Sequence, residues 1–302
     1  MKSLVTGGAG FIGSNIVDRL IELNHDVLVI DNESSESHDM FYYNNKAIYY
    51  KLDICDYENT RSLYNGIDYV FHLAAESRIQ PTIINPILAV KTNVLGTATV
   101  LQCSKESGVK RVVYSTTSSY YGLKNTVPNI ETQVEDCLNP YSVSKVSGDK
   151  LCKMYYDLYG LETIILRYFN VYGDRHPTRG QYAPVIGLFL RQNIDGKKMT
   201  IVGDGSQKRD FTNVKDVVNA NILAALSSID SEHFGTAFNI GSGNNYSILE
   251  IANMIDNKKY EFIPSRPGEA KETLANIEKV KSVLGWKPEI SLEKWIKGYA
   301  ES

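Results

Sequence analysis

Cysteine is scarce in this chain. Cys55, Cys103, Cys137 and Cys152 stand far apart and form no C-x-x-C pair. That spacing argues against a disulfide scaffold or a zinc ribbon, and four reduced thiols in a cytoplasmic protein are expected. Five histidines fall in no metal-ligand spacing, so no metal site is expected. Charge of one sign is not in excess. The net charge is −3 and the pI is near 6.0, which argues against nucleic acid as the main partner but leaves room for a local cationic pocket that binds phosphates. No apolar run reaches transmembrane length, and the opening residues carry neither a charged n-region nor an apolar h-region. No basic amphipathic stretch suggests membrane docking, and there is no low-complexity tract or solenoid-period repeat. What remains is 302 residues, 43% of them hydrophobic, enough for one large domain or two modest ones.

The pattern that is present alternates strand with helix. Lys2 to Thr6 reads as a short buried strand, and Gly7-Gly8-Ala9-Gly10-Phe11-Ile12-Gly13 follows it directly. Ser14 to Leu23 then has helical spacing. Glycines at 7, 10 and 13 let the backbone approach a pyrophosphate, let helix and strand pack closely, and aim the helix N-terminus at negative charge. The next strand, Asp26 to Ile30, ends in Asp31. An acid about 20 residues beyond the first glycines accepts hydrogen bonds from an adenosine ribose and repels a 2′-phosphate, so NAD is expected over NADP. Asp53-Ile54 closes a strand beginning at Ile48 and can face an adenine ring. The strand Asp68 to Leu73 runs into Ala74-Ala75, small enough to leave space for a cofactor. His72 within it reads as a packed core histidine. Asn85 to Ser107 reads as one long helix, interrupted by the polar Asn93, whose buried amide needs partners. Arg111 to Tyr114 is a strand that runs into the hydroxyl cluster Ser115 to Tyr121.

Asn139-Pro140-Tyr141-Ser142-Val143-Ser144-Lys145 has an N-cap and a first-turn proline. Tyr141 and Lys145 are four apart and share a helix face. A Tyr holds its proton to a pKa of about 10, and a nearby ammonium brings that down, so the pair can transfer protons. The alternation predicts a doubly wound parallel sheet with its site at the carboxyl ends of the strands.

Taken in order, Thr6 to Gly13, Asp31, Asn93, the Thr117 cluster and Tyr141/Lys145 resemble the extended short-chain dehydrogenase/reductases, and more narrowly the nucleotide-sugar 4-epimerases of the NAD-dependent epimerase/dehydratase family. The resemblance spans essentially the whole chain. It implies a Rossmann domain over residues 1–170 and a nucleotide-sugar domain over 171–302, with parts of 211–240 packing back onto the first. It implies bound NAD, a UDP-sugar substrate and a homodimer through the Asn85–Ser107 and Tyr141–Tyr159 helices.

Roles follow from the same resemblance. Tyr141 is the base, Lys145 holds the ribose and lowers the Tyr pKa, and Thr117 shares the proton with the sugar 4-hydroxyl. Cofactor contacts fall on Gly7, Gly10, Phe11, Ile12, Gly13, Asp31, Asn32, Asp53, Ile54, Leu73, Ala74, Ala75, Asn93, Ser115 and Tyr168. Substrate contacts fall on Ser77, Arg78, Asn170, Val185, Ile201 and Gln207. Arg209 and Arg266, each expected in a loop, form a candidate diphosphate clamp, since guanidinium forks fit phosphate oxygens. Glu269 can accept from the uridine ribose. Thr273 falls where these epimerases carry a gate residue, and its small size implies a pocket open to both UDP-Glc/Gal and UDP-GlcNAc/GalNAc. Dehydratases of the family carry Asp-Glu after the catalytic Thr, whereas this chain has Ser118-Ser119. A uronate-specific or decarboxylating relative needs a cation for the substrate carboxylate, which Arg78, Arg175 or Arg179 could supply. A non-catalytic NAD or nucleotide-sugar binder on the same fold would be expected to have lost Tyr141 or Lys145, and both are present.

Overall fold

The computed structural model describes residues 1–36, 38, 40–178, 183–256, 259–265, 267, 268 and 270–300. Its centre is a seven-stranded parallel sheet. In spatial order the strands are Thr236–Ile240, Glu162–Tyr168, Arg111–Thr117, Tyr69–His72, Lys2–Thr6, Asp26–Ile30 and Ile48–Tyr50. The chain therefore starts in the middle, winds to one edge, and returns across Lys2–Thr6 to build the other half. The change of direction falls between Lys2–Thr6 and Tyr69–His72, where Thr6 lies opposite His72. Such a switch point leaves a crevice at the carboxyl ends of the strands.

The strands are apolar on both faces because both faces are covered. Helices Phe11–Glu22 and Val214–Leu226 pack one side with Ile16, Val17, Leu20, Val217 and Val218. On the other side, Leu4, Leu28, Val70 and Val112 meet Val100, Leu101, Cys152 and Tyr155 from helices Thr97–Glu106 and Pro140–Tyr159. A separate cluster around Phe189, Ile201, Ile251 and Ile296 forms the core of the smaller C-terminal part. Strand Thr236–Ile240 and helix Val214–Leu226 come from the second half of the chain yet belong to the large sheet and its cover.

Three local features differ from the pattern read in the sequence. The expected helix 85–107 runs from Pro86 to Glu106 but has π geometry over Lys91–Gly96. Arg209 lies on a short strand, Lys208–Asp210, paired antiparallel with Asn245–Ser247. Strand Tyr260–Ile263 and helices Glu278–Leu284 and Leu292–Ala300 complete the C-terminal part.

Candidate active site

A cavity of about 510 Å³ opens over the carboxyl ends of the strands. Its floor is the glycine turn. Gly7 has φ +70°, and a Cβ there would stand 2.8 Å from the Ala74 nitrogen. A Cβ on Gly13 would come within 2.1 Å of the Gly7 carbonyl oxygen. Only glycine allows this approach of strand and helix, and the space left open is backbone-lined, as a pyrophosphate requires. Asp31 braces the turn. Its carboxylate accepts from the backbone N–H groups of Ala9 (3.0 Å) and Glu33 (2.8 Å), while burial pushes its pKa up.

Asn93 explains the π segment. It is fully buried. Its Oδ1 accepts from the Glu76 N–H at 2.8 Å, and its Nδ2 donates to the Glu76 carbonyl at 3.0 Å and to Ser144 Oγ at 2.9 Å. The extra residue in the helical turn aims this amide at the loop after the fourth strand and at the Tyr141 helix together. His72, in the same layer, bonds the hydroxyls of Thr6 (2.7 Å) and Thr97 (2.9 Å) and is a buried structural histidine.

Helix Pro140–Tyr159 starts with a reciprocal cap. Asn139 Oδ1 accepts from the Ser142 N–H, and Ser142 Oγ accepts from the Asn139 N–H. This fixes the first turn, which carries Tyr141 into the cavity, with Lys145 one turn on. Thr117, at the end of its strand, accepts from the Ser119 N–H at 3.0 Å and lines the same cavity. Burial raises the Tyr141 pKa, and Thr117 and then the Arg78 guanidinium oppose it. Lys145 is 3% exposed, and burial lowers its pKa to about 8 against the opposing charge of Asp149. Its ammonium lies 4.3 Å from the centre of the Tyr114 ring.

Beneath Lys145 is a buried ion pair. Asp149 Oδ2 accepts from Arg167 Nη2 at 3.2 Å and Nε at 3.3 Å, and both side chains are under 10% exposed. Arg167 also lies 3.4 Å from the Tyr120 ring centre and donates to Tyr121 Oη. The sequence reading missed this pair. Spacing marks Asp149 only as a neighbour of Lys145, four residues on along the same helix face, and no local pattern brings Arg167 to it.

The other expected residues divide clearly. Phe11, Ile12, Asn32, Ile54, Leu73, Ala75, Ser77, Ser115, Tyr168, Asn170, Val185, Gln207 and Arg209 line the cavity with Gly7, Gly13, Asp31, Thr117, Tyr141 and Lys145, as do Gly10, Ala74 and Arg78, whereas Asn93, expected as a cofactor contact, lies behind the wall, spent on Glu76 and Ser144. Ser118 and Ser119 line it too. Asp53 does not; it accepts from the Cys55 N–H and pairs with Lys91 at 3.5 Å. Ile201 points into the C-terminal core, and its neighbours Thr200 and Val202 reach the cavity instead. Thr273 is buried beside strand Lys208–Asp210, its hydroxyl accepting from the Asp210 N–H at 3.3 Å, so it does not stand as a gate. Alternation along the strand accounts for Ile201, and register with Lys208–Asp210 for Thr273. Arg266 and Glu269 lie outside the described residues. Glu76, His176, Pro184 and Phe211 line the cavity without having been anticipated.

A glycine turn against a helix N-terminus, an acid after the second strand and a Tyr–Lys pair with a neighbouring Thr share one cleft, an arrangement suited to a dinucleotide-dependent enzyme. Residues 3–241 match the model of the NAD dependent epimerase/dehydratase family. The chain is 37% identical over 301 residues to a putative UDP-glucose 4-epimerase of Methanocaldococcus jannaschii, covering 97% of this chain and 95% of that one. It superposes on the Thermotoga maritima UDP-glucose 4-epimerase solved with UDP-glucose with a TM-score of 0.93 at 34% identity, over 100% and 98% of the two chains. It likewise matches the UDP-N-acetylglucosamine 4-epimerase of Methanobrevibacter ruminantium, solved with UDP-N-acetylmuramic acid, with a TM-score of 0.91 at 30% identity over 99% and 97%. The chain belongs to the NAD-dependent epimerase/dehydratase family, and its relatives include UDP-sugar 4-epimerases.

Proposed function

We propose that this protein inverts C4 of a UDP-hexose through a transient 4-keto sugar, with NAD held in the cleft throughout. The observation that carries the reading is the convergence of Tyr141, Lys145 and Thr117 on one cavity whose floor is the Gly7–Gly13 turn. That turn fits a pyrophosphate, and Asp31 fits an adenosine ribose. Bound NAD supplies a hydride acceptor and donor at the sugar C4. The chain's own residues do the rest. Tyr141 takes the 4-hydroxyl proton, directly or across Thr117, and returns it after the sugar has presented its other face. Lys145 holds a ribose and favours the Tyr141 phenolate. Asn170, Gln207 and Arg209 hold the nucleotide part, and that remote binding keeps the keto sugar in place. Hydroxyls at 118 and 119, where a dehydratase has acids, favour inversion over elimination.

The sugar pairs to test first are UDP-Glc/UDP-Gal and UDP-GlcNAc/UDP-GalNAc. The outer faces of helices 79–106 and 140–159 carry Ile84, Ile87, Leu95, Val143 and Leu158, all more than half exposed, and they suit pairing with a second copy. The four thiols are free, which supports a reducing compartment such as the cytoplasm. Among the described residues no helix is long and apolar enough to cross a membrane. Incubation of the purified protein with each UDP-sugar, followed by proton NMR, tests the reading. A mixture of C4 epimers supports it, and a 4-keto-6-deoxy product refutes it.

A further inference from the structure

Three arginines could meet a carboxylate on the sugar, and the structure separates two of them. Arg175 is engaged elsewhere. Its Nη2 is 2.6 Å from Asp18 Oδ2, its guanidinium stacks 5.0 Å from the Tyr42 ring centre, and it does not line the cavity. Arg179 lies outside the described residues.

Arg78 does line the cavity. It follows the strand Tyr69–His72 and the small residues Ala74-Ala75. Its Nε is buried and has no hydrogen-bond partner. Among the described residues, no hydrogen bond or ion pair reaches its guanidinium. Burial pushes its pKa down to about 10, and Tyr141 is the group that senses its charge. Two acids line the same cavity. Asp31 is held by the backbone of Ala9 and Glu33 at the glycine turn, and among the described residues Glu76 forms no ion pair. Arg78 is half-buried, but its Nε is shut off from water and meets no acceptor, so the group marks a place where a ligand can bring the negative charge.

The position of Arg78 limits which charge that is. On the proposed function, on which this inference rests, the sugar C4 hydroxyl meets Tyr141. A cation beside Tyr141 is then next to the carbons flanking C4. The diphosphate is on C1, across the ring from C4, and Arg209 is a second arginine lining the cavity. Of the two flanking carbons, C5 carries the group that differs among hexoses: a hydroxymethyl in glucose, a carboxylate in a uronate. A planar guanidinium fork matches a carboxylate and gains little from a hydroxymethyl. We propose that Arg78 binds the C6 carboxylate of a UDP-hexuronate, and that among UDP-hexoses this cleft favours the uronic acid.

The test is a comparison of kcat/KM for UDP-glucuronate and UDP-glucose, read as loss of the starting sugar nucleotide by NMR. The wild-type protein should prefer UDP-glucuronate by roughly 10-fold or more. Arg78→Gln should lower the uronate-to-glucose ratio by about 100-fold, and Arg78→Lys should keep part of it. Circular dichroism and the amount of NAD released on denaturation check that each variant is folded. Equal loss on both sugars in Arg78→Gln overturns the proposal, because Arg78 then serves Tyr141 or the diphosphate. Wild-type turnover of UDP-glucose alone also overturns it while leaving the C4-epimerase reading intact, and this result needs no variant. Turnover of neither sugar overturns the proposal as well, and the C4-epimerase reading falls with it only if UDP-GlcNAc is also left unchanged.

Discussion

Replacing Asp149 by Asn removes a charge that two buried cations use at once. Arg167 has Asp149 as its carboxylate partner, at 3.2 and 3.3 Å, and both side chains are nearly inaccessible. Removing one member of such a pair leaves an uncompensated buried charge, which costs about 3–5 kcal/mol. The contacts of Arg167 with Tyr120, Tyr121 and the Glu131 carbonyl soften this and favour the lower end. At about 2 °C per kcal/mol for a chain of this size, Tm should fall by roughly 6 °C. The second effect is chemical. Lys145 titrates at about 8 because burial lowers its pKa while Asp149 opposes the fall. Without the carboxylate the pKa drops further, so Lys145 loses its proton at a lower pH. The alkaline limb of kcat should move down by roughly one pH unit or more. Asp149→Glu should recover much of both. The assay is differential scanning calorimetry beside a pH–rate profile on folded protein below its Tm. An Asp149→Asn variant with unchanged Tm and an unmoved alkaline limb would refute the role given to this pair.

Three other expectations concern the groups that shape the cleft. Asn93→Leu leaves the Glu76 N–H and carbonyl without their partner and should cost about 2–4 kcal/mol in urea unfolding; an unchanged midpoint would sink the hydrogen-bond account. Asp31→Ala should weaken NAD binding by roughly 10-fold or more and narrow the preference over NADP, measured by titration of cofactor-stripped protein; undiminished preference would count against a ribose contact. His72 is held well below the ordinary histidine pKa by burial and then by the Lys145 charge. The unfolded chain therefore binds this proton below about pH 6.5 while the folded one does not, so stability is fully present above that pH and falls as pH drops, by up to about 1.4 kcal/mol per unit. His72→Asn should flatten that slope, and an equally steep slope in the variant would exclude His72 as its source.

The doubly wound sheet was legible because its strands are continuous apolar runs ending in glycine, acid or hydroxyl residues. Periodicity, caps and turn residues are local, and they govern this half of the molecule. The Tyr141 helix was equally legible, since Asn139 and Pro140 mark its start in the sequence. What the sequence hid was non-local. Asp149 and Arg167 meet only because the helix lies on the strand that follows it. Thr273 was read by counting along the chain, but pairing beside Lys208–Asp210 turns its hydroxyl away from the cavity. Ile201 and its neighbours were one residue out of phase, which in a strand is the difference between core and cleft. The fate of Arg78 among three candidate arginines depended on whether Asp18 was near, and no spacing rule reports that.

The central claim is that the C4 hydrogen leaves and returns as a hydride, without meeting water. It is tested by running the reaction in deuterium oxide on the sugar nucleotide that turns over fastest and reading the product by proton NMR. The account predicts a C4 epimer with its C4 proton fully retained and no accumulation of reduced cofactor. Deuterium at C4 of the epimer would contradict it.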